Sequence, residues 1–259
     1  MTLPVFLTQT PLAGATGSIT VGPEVAGHAV RVRRMGAGEE LELIDGTGMR
    51  LRGTIQEGTP ESLTLSVTEV TEEPQQRPRL VLVQALAKNE RDIQAIEAAT
   101  EVGVDAVIPW AAQRSIADWP AKKAHKMAAK WSNVLTAASL QARRTWVPEL
   151  GELIRGTAVT QLVTPTSRVI VLDETESTGL TEAVNDLRQG NTTQDNISQG
   201  DIDQIVVIVG PEGGITPAEI DALVSAGART AVLGPTILRA STAGPVALAI
   251  VQTLLGRWK

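Results

Sequence analysis

Chemistry in this chain is most legible near its carboxyl terminus, in two glycine-proline turns. Val206-Val-Ile-Val209 is a run of β-branched residues that reads as a buried strand. It breaks at Gly210-Pro211 and leaves a tight loop, Glu212-Gly213-Gly214. Thr216, Pro217 and Glu219 then supply an N-cap, a first-turn proline and the acidic partner of a capping box. The arrangement recurs in weaker form. Ala231-Val-Leu233 is a short apolar strand broken by Gly234-Pro235, and Thr236-Ile-Leu-Arg-Ala-Ser-Thr242 leads into an apolar helix spanning 243–255. Strand, glycine loop and capped helix in a row leave open backbone donors at the carboxyl edge of a sheet, where open α/β sheets bind ligands. Two such units suggest two loops lining one pocket; the plain alternative is a pair of ordinary βα turns.

Such a pocket offers backbone amides, glycines, Leu and Ile side chains and small hydroxyls, with Arg239 at its edge. It suits a flat, weakly charged, purine-containing ligand better than a triphosphate. A P-loop, a Rossmann glycine fingerprint and a G-x-S-x-G nucleophile elbow are all missing. Cysteine is absent, which removes disulfides, thiolate metal sites and thiolate nucleophiles, and His28 and His125 are too few for a histidine metal cluster.

The elements that must position these turns follow from periodicity. Residues 1–72 read as short strands and turns: 17–22, 40–44, 49–55 and 62–68, with Asp45-Gly46 as a hairpin signal and one helix over 24–35. A small β-barrel fits that spacing. Arg31, Arg33, Arg34, Arg50 and Arg52 cluster there. Residues 73–79, polar and holding two prolines, form a linker. From Leu80 the rhythm is α/β: strands over 80–86, 104–109 and 169–172 alternate with helices over 90–102, 120–141 and 180–187. That predicts a mostly parallel sheet covered on both faces over 80–259. Residues 190–203 are polar and read as a flexible surface insertion.

The net charge of −6 offers no global polycation, but the charge is segregated. Between Ala121 and Trp146 lie Lys122, Lys123, Lys126, Lys130, Arg143 and Arg144 with no acidic residue. An acidic total can therefore hide a basic face. The amino terminus lacks the charged start and long apolar run of a signal peptide, and no run reaches membrane-spanning length, so a soluble cytoplasmic protein is expected.

The segments Val209-Gly-Pro-Glu-Gly-Gly-Ile-Thr216 and Leu233-Gly-Pro-Thr-Ile-Leu-Arg-Ala-Ser-Thr-Ala243 resemble the paired signatures of SPOUT-class RNA methyltransferases, more narrowly the ribosomal small-subunit methyltransferase E family. The resemblance extends over nearly the whole chain. Gly27-His-Ala-Val-Arg-Val-Arg-Arg-Met35 and Ile44-Asp-Gly-Thr-Gly48 resemble its PUA-like barrel, and Ala87-Lys88, Ala99-Thr-Glu-Val-Gly-Val104 and Gln113-Arg-Ser115 its central segment. It implies a SPOUT domain with a mostly parallel, trefoil-knotted sheet behind a small N-terminal PUA-like barrel. It also implies a homodimer that uses S-adenosylmethionine to methylate N3 of a uridine in 16S rRNA, alone or in the small ribosomal subunit. By matching position the cofactor residues would be Gly210, Glu212, Gly213, Gly214, Leu233, Gly234, Ile237, Leu238 and Arg239, with Leu172, Ser241 and Thr242 as further candidates. Arg239 is the expected electrostatic catalyst, with a loop anchor as its structural alternative. Arg31, Arg33, Arg34, Lys88 and Arg114 are the expected RNA contacts, and no metal is required. Two positions depart from the family: Thr236 stands where Arg is usual and Ser241 where Glu is usual. Leu140-Gln-Ala-Arg-Arg144 also diverges from the family's run at that place. Other readings from the same residues are a SPOUT enzyme acting on another RNA such as a tRNA ribose, a non-catalytic RNA-binding or ribosome-assembly protein, and a nucleotide-binding regulator.

Overall fold

The computed structural model describes residues 2–189 and 202–258. The insertion expected at 190–203 therefore lies almost wholly outside the described residues. The chain divides into two compact units, one of residues 1–75 with 139–147, the other of 76–138 with 148–259.

The first unit is a five-stranded sheet in the order β1 (Val5–Leu7), β3 (Glu40–Ile44), β4 (Met49–Gly58), β5 (Leu63–Glu72), β2 (Ser18–Val21). Only β1–β3 is parallel. Alternation in these strands sends Leu41, Leu43, Leu51, Ile55, Leu63 and Leu65 into one apolar core. The β3–β4 turn is held by Asp45, whose carboxylate accepts the amides of Thr47 at 2.7 Å and Met49 at 3.0 Å, with Gly46 at φ 79°. The helix expected over 24–35 is not uniform. A turn of α1 (Pro23–Ala26) widens over Gly27–Val32 to i→i+5 bonding, as in Arg33 N–H to His28 O at 3.0 Å. Arg34 at φ 57° stops it, and the Met35 amide closes back on the Ala29 carbonyl at 3.0 Å.

Residues 139–147, which periodicity assigned to the second domain, pack with the first unit. Arg50 donates to the Arg143 carbonyl at 2.7 Å, and the Trp146 indole donates to the Glu73 carbonyl at 2.8 Å. Gly48 lies under that indole, where a Cβ would sit 2.8 Å from the ring. A local pattern could not show this, because the partners are distant in sequence.

The second unit is a parallel sheet ordered β12 (Arg229–Ala231), β10 (Ser167–Leu172), β11 (Gln204–Val209), β6 (Arg79–Ala85), β7 (Ala106–Ala111), β8 (Glu149–Leu150), with β9 (Ile154–Arg155) also on β7. The two-residue strands β8 and β9, like β1, carry too little pattern to be read from sequence. The apolar run of β11 serves two cores. Val206 and Ile208 face one side of the sheet with Leu223 of α5 (Pro217–Ala226). Val207 and Val209 face the other, with Ile96 of α2 (Arg91–Glu101), Trp131 of α3 (Ala121–Gln141), Leu180 of α4 (Leu180–Gln189) and Leu248 of α6 (Ala240–Leu254). A strand buried on both faces needs no alternation. Among the described residues no helix is long and apolar enough to cross a membrane.

Strands β10 and β11 are neighbours, yet α4 leaves β10 toward one face and α5 leaves β11 toward the other. Their carboxyl ends therefore diverge and open a crevice, the topological switch point of an open α/β sheet. The chain leaving β12 crosses the same edge. Val232 donates to the Thr178 carbonyl at 2.9 Å and accepts from the Leu180 amide at 2.9 Å. It then enters α6, which packs between α2 and α4.

Candidate active site at the switch point

The crevice encloses a cavity of about 650 Å³, within the range of small-molecule sites. Its walls are the three segments that follow β10, β11 and β12: Leu172–Thr175, Val209–Ile215 and Ala231–Ala240, with Arg91 and Arg114 on the rim.

The wall after β11 is braced. The Thr216 hydroxyl accepts the Glu219 amide at 3.3 Å, and Glu219 Oε2 accepts the Thr216 amide at 3.1 Å. Glu219 is buried, and its Oε1 accepts the Gln113 amide at 2.8 Å, which ties α5 to the loop after β7. The Glu212 carboxylate is occupied by protein, receiving the Arg91 guanidinium and the Lys88 amide, each at 3.2 Å. Arg114 donates to the Gly213 carbonyl at 3.2 Å, and Gly214 turns the chain at φ 73° with its amide on the Pro211 carbonyl. A Cβ on Gly210 would lie 2.6 Å from Cγ1 of Ile215. Behind this loop Asn89 and Glu90 are both left-handed, at φ 55° and 58°. Such residues cost roughly 1–3 kcal/mol each, and this backbone is what presents Lys88 N–H and Arg91 to Glu212.

The wall after β12 is open. The amides of Gly234, Thr236, Ile237 and Leu238 have no acceptor among the described residues. A Cβ on Gly234 would meet nothing within 4 Å. Ile237 is 78% exposed, and Arg239 is exposed with no ion pair among the described residues. The wall after β10 is acidic: Asp173 holds the amide and hydroxyl of Thr175, both at 2.8 Å, and Glu174 is exposed beside it.

The structure thus brings together Leu172, Gly210, Glu212, Gly213, Gly214, Leu233, Gly234, Ile237, Leu238 and Arg239. Ser241 and Thr242 are not in the lining; they sit in the first turn of α6, Thr242 exposed and Ser241 half-buried. Thr236 lines the cavity and Ser241 does not, so the two departures from the family pattern do not share one wall. Arg114, read as an RNA contact, lies on the cavity rim, whereas Lys88 contributes its backbone N–H. Sequence reasoning missed Arg91 and the Asp173–Thr175 wall. Asn89, a residue that tolerates left-handed backbone, was the one available signal for the bend beside Arg91.

In the first unit Arg50 and Arg52 are taken by Glu42 at 2.5 Å and Glu40 at 2.8 Å across the β3–β4 pair. Arg31, Arg33 and Arg34 are exposed, and Arg33 lies over the Phe6 ring at 5.9 Å. Arg31, in the widened turn, and Arg33 and Arg34, just after it, have no ion pair among the described residues.

A family model described as an RNA methyltransferase domain matches residues 73–252, and one described as an RNA methyltransferase PUA domain matches 22–68. The ribosomal RNA small subunit methyltransferase E of Mycobacterium bovis is 37% identical over 248 residues, covering 94% of this chain and 89% of that protein. This chain belongs to the small-subunit ribosomal RNA methyltransferase E family. The member from Bacillus subtilis is 28% identical, with 92% and 90% covered. Among solved structures, the Neisseria gonorrhoeae family member bound to S-adenosyl methionine superposes with a TM-score of 0.81 at 22% identity, covering 98% of both chains. A Legionella pneumophila methyltransferase in complex with the same cofactor gives 0.78 at 24% identity, again over 98% of both. At those identities the structures establish the shared fold.

Proposed function

We propose that this chain is an S-adenosylmethionine-dependent methyltransferase of small-subunit ribosomal RNA, acting on N3 of a uridine. The observation that carries the reading is the cavity at the switch point, one wall braced and the other lined by unpartnered amides, in a chain of this family. Those features fit an adenosyl group. Gly234 leaves open space, the amides of Gly234, Thr236, Ile237 and Leu238 can meet a purine edge, and Leu172, Leu233 and Leu238 supply an apolar cradle. The acidic wall of half-buried Asp173 and exposed Glu174 suits the cationic end of the same molecule. When bound, S-adenosylmethionine supplies an electrophilic methyl on a sulfonium.

The chain's own part is electrostatic and geometric. Uracil N3 carries a weakly acidic proton and becomes a nucleophile as that proton departs. Arg239, exposed on the rim without a carboxylate partner, favours the developing uracil anion. The Arg91–Glu212 pair and Arg114 hold the facing wall still, and that fixes the distance between the two reactants. No thiolate step is needed, in keeping with a chain that has no cysteine. The passage of residues 232–239 past the β10–α4 connection is our candidate for the trefoil knot, and a homodimer acting in the cytoplasm on 16S rRNA or the small subunit completes the reading. Arg31, Arg33 and Arg34 would meet phosphates, which position RNA without reading its sequence.

Nucleoside mass spectrometry of 16S rRNA from a strain lacking the gene, with and without complementation, tests it. Loss and return of 3-methyluridine is the expected result. Loss of a 2′-O-methyl nucleoside instead, or no change, would refute the uracil assignment.

A further inference from the structure

One strongly charged element has no role in the cavity. Helix α3 spans 21 residues and carries Lys122, Lys123, Lys126 and Lys130 with no acidic residue. In a chain of net charge −6, this helix alone is +4, counted from those lysines. One side of it is structural: Ala124, Met127, Ala128, Trp131, Val134 and Leu135 pack on the core. Lys122, Lys126 and Lys130 follow at i, i+4 and i+8, so they stack on one outward stripe, with Lys123 beside it. All four are exposed. Lys130 is held by Glu90 at 2.5 Å, whereas Lys122, Lys123 and Lys126 have no ion pair among the described residues.

Helix stability does not account for this placement. Lys122 and Lys123 occupy the first turn, where the helix dipole disfavours cations and Asp or Glu would be favoured. Local rules broken without an evident structural gain point to function. The position is informative too. The helix starts at the carboxyl edge of the sheet, after the loop that follows β7. That loop carries Arg114 to the cavity rim and ties Gln113 to Glu219.

We infer that the amino-terminal half of α3, through Lys122, Lys123 and Lys126, is a phosphate-docking face that holds substrate RNA alongside the cavity. The inference rests on the reading of the substrate as ribosomal RNA. These flexible ammonium groups act as point charges, so the face supplies affinity and orientation, not base recognition.

The test uses the full chain with Lys122→Gln, Lys123→Gln and Lys126→Gln combined, and a second triple in which the same residues become Arg. Affinity for a small-subunit rRNA transcript is titrated across salt concentrations, and S-adenosylmethionine binding is measured by calorimetry. Three lost phosphate contacts should lower the slope of log K against log salt by about 2. The Gln triple should then lose about a hundredfold of the affinity gain that wild type shows per tenfold dilution of salt. The Arg triple should keep the wild-type slope, and both triples should bind the cofactor normally. An unchanged slope in the Gln triple overturns the inference, as does a loss that the Arg triple shares. If the slope is unchanged but the Gln triple loses binding to polyglutamate, the face belongs to an acidic protein instead. Wild type that fails to bind S-adenosylmethionine would break the functional reading itself, a result independent of the α3 variants.

Discussion

The two turns that form the cavity have similar sequences and opposite physical states. In the segment 210–216 the groups that could serve a ligand are mostly taken by protein: Glu212 by Arg91 and Lys88, the Gly213 carbonyl by Arg114, and the α5 amino terminus by its own capping box. In the segment 233–239 the amides and Arg239 are free among the described residues, and Ile237 is open to solvent. A rigid wall facing an unsatisfied one is a sensible division for a transferase. In the proposed reaction the braced side would set the geometry, and the other would gain its hydrogen bonds when the cofactor binds.

Substitutions can break this contrast, and the largest effect should come from the open wall. Arg239→Ala is expected to lower kcat about 10²–10³-fold, the range seen when one preorganised donor to a developing anion is removed. Its melting temperature should barely move, since the side chain is exposed and unpaired. Equal losses of stability and activity would instead make Arg239 a loop anchor.

A glycine pair sharpens the contrast further. Gly210→Ala forces a Cβ to 2.6 Å from Ile215 and should destabilise the fold by about 1–3 kcal/mol. Gly234→Val meets open space, so thermal stability should hold while cofactor affinity falls about tenfold or more, a change of about 1.4 kcal/mol. Calorimetry on both proteins reads the two effects, and the reverse pattern would exchange the roles given to the walls.

On the braced side, Glu219→Gln weakens a buried carboxylate that receives the Gln113 and Thr216 amides. A cost of about 1–2 kcal/mol in denaturant unfolding is expected, with little change in kcat.

The smallest effect concerns Asp92, behind the same wall. Burial pushes its carboxyl above the usual carboxylate range, against the opposing hydrogen bonds from the Ile93 and Ala87 amides. A raised folded value means that the native state binds more protons than the unfolded one between the two values. Stability therefore falls as pH rises through that window and is level above it. Asp92→Asn should flatten that slope. An unchanged pH profile would mean that Asp92 does not titrate in this range.

Different parts of the molecule were legible to different degrees. The capped start of α5 was readable to the residue, because Thr216, Pro217 and Glu219 act within one turn. The β11 strand was readable because burial on both faces leaves an unbroken β-branched run. Pairing was less accessible: β8 and β9 are two residues long and exist only because β7 offers them an edge. Ser241 and Thr242 were counted in the cofactor set, but the first turn of α6 carries them out of the cavity lining. Arg91 escaped notice because nothing local marks it as the partner of Glu212, a residue far along the chain.

By itself, the sequence determined what acts over a few residues: strand and helix periods, the caps, the glycine-proline breaks, and the family signature that pointed to RNA methylation. Tertiary structure decided which of those residues share a cavity. It did so by sending α4 and α5 to opposite faces from neighbouring strands, by placing residues 139–147 with the first unit, and by pairing Arg50 and Arg52 with carboxylates while leaving Arg31, Arg33 and Arg34 without one among the described residues. The physical reason is range. Propensity and capping are set by neighbours in the chain, whereas a crevice, an ion pair across strands and an unpartnered amide depend on segments that only folding brings together.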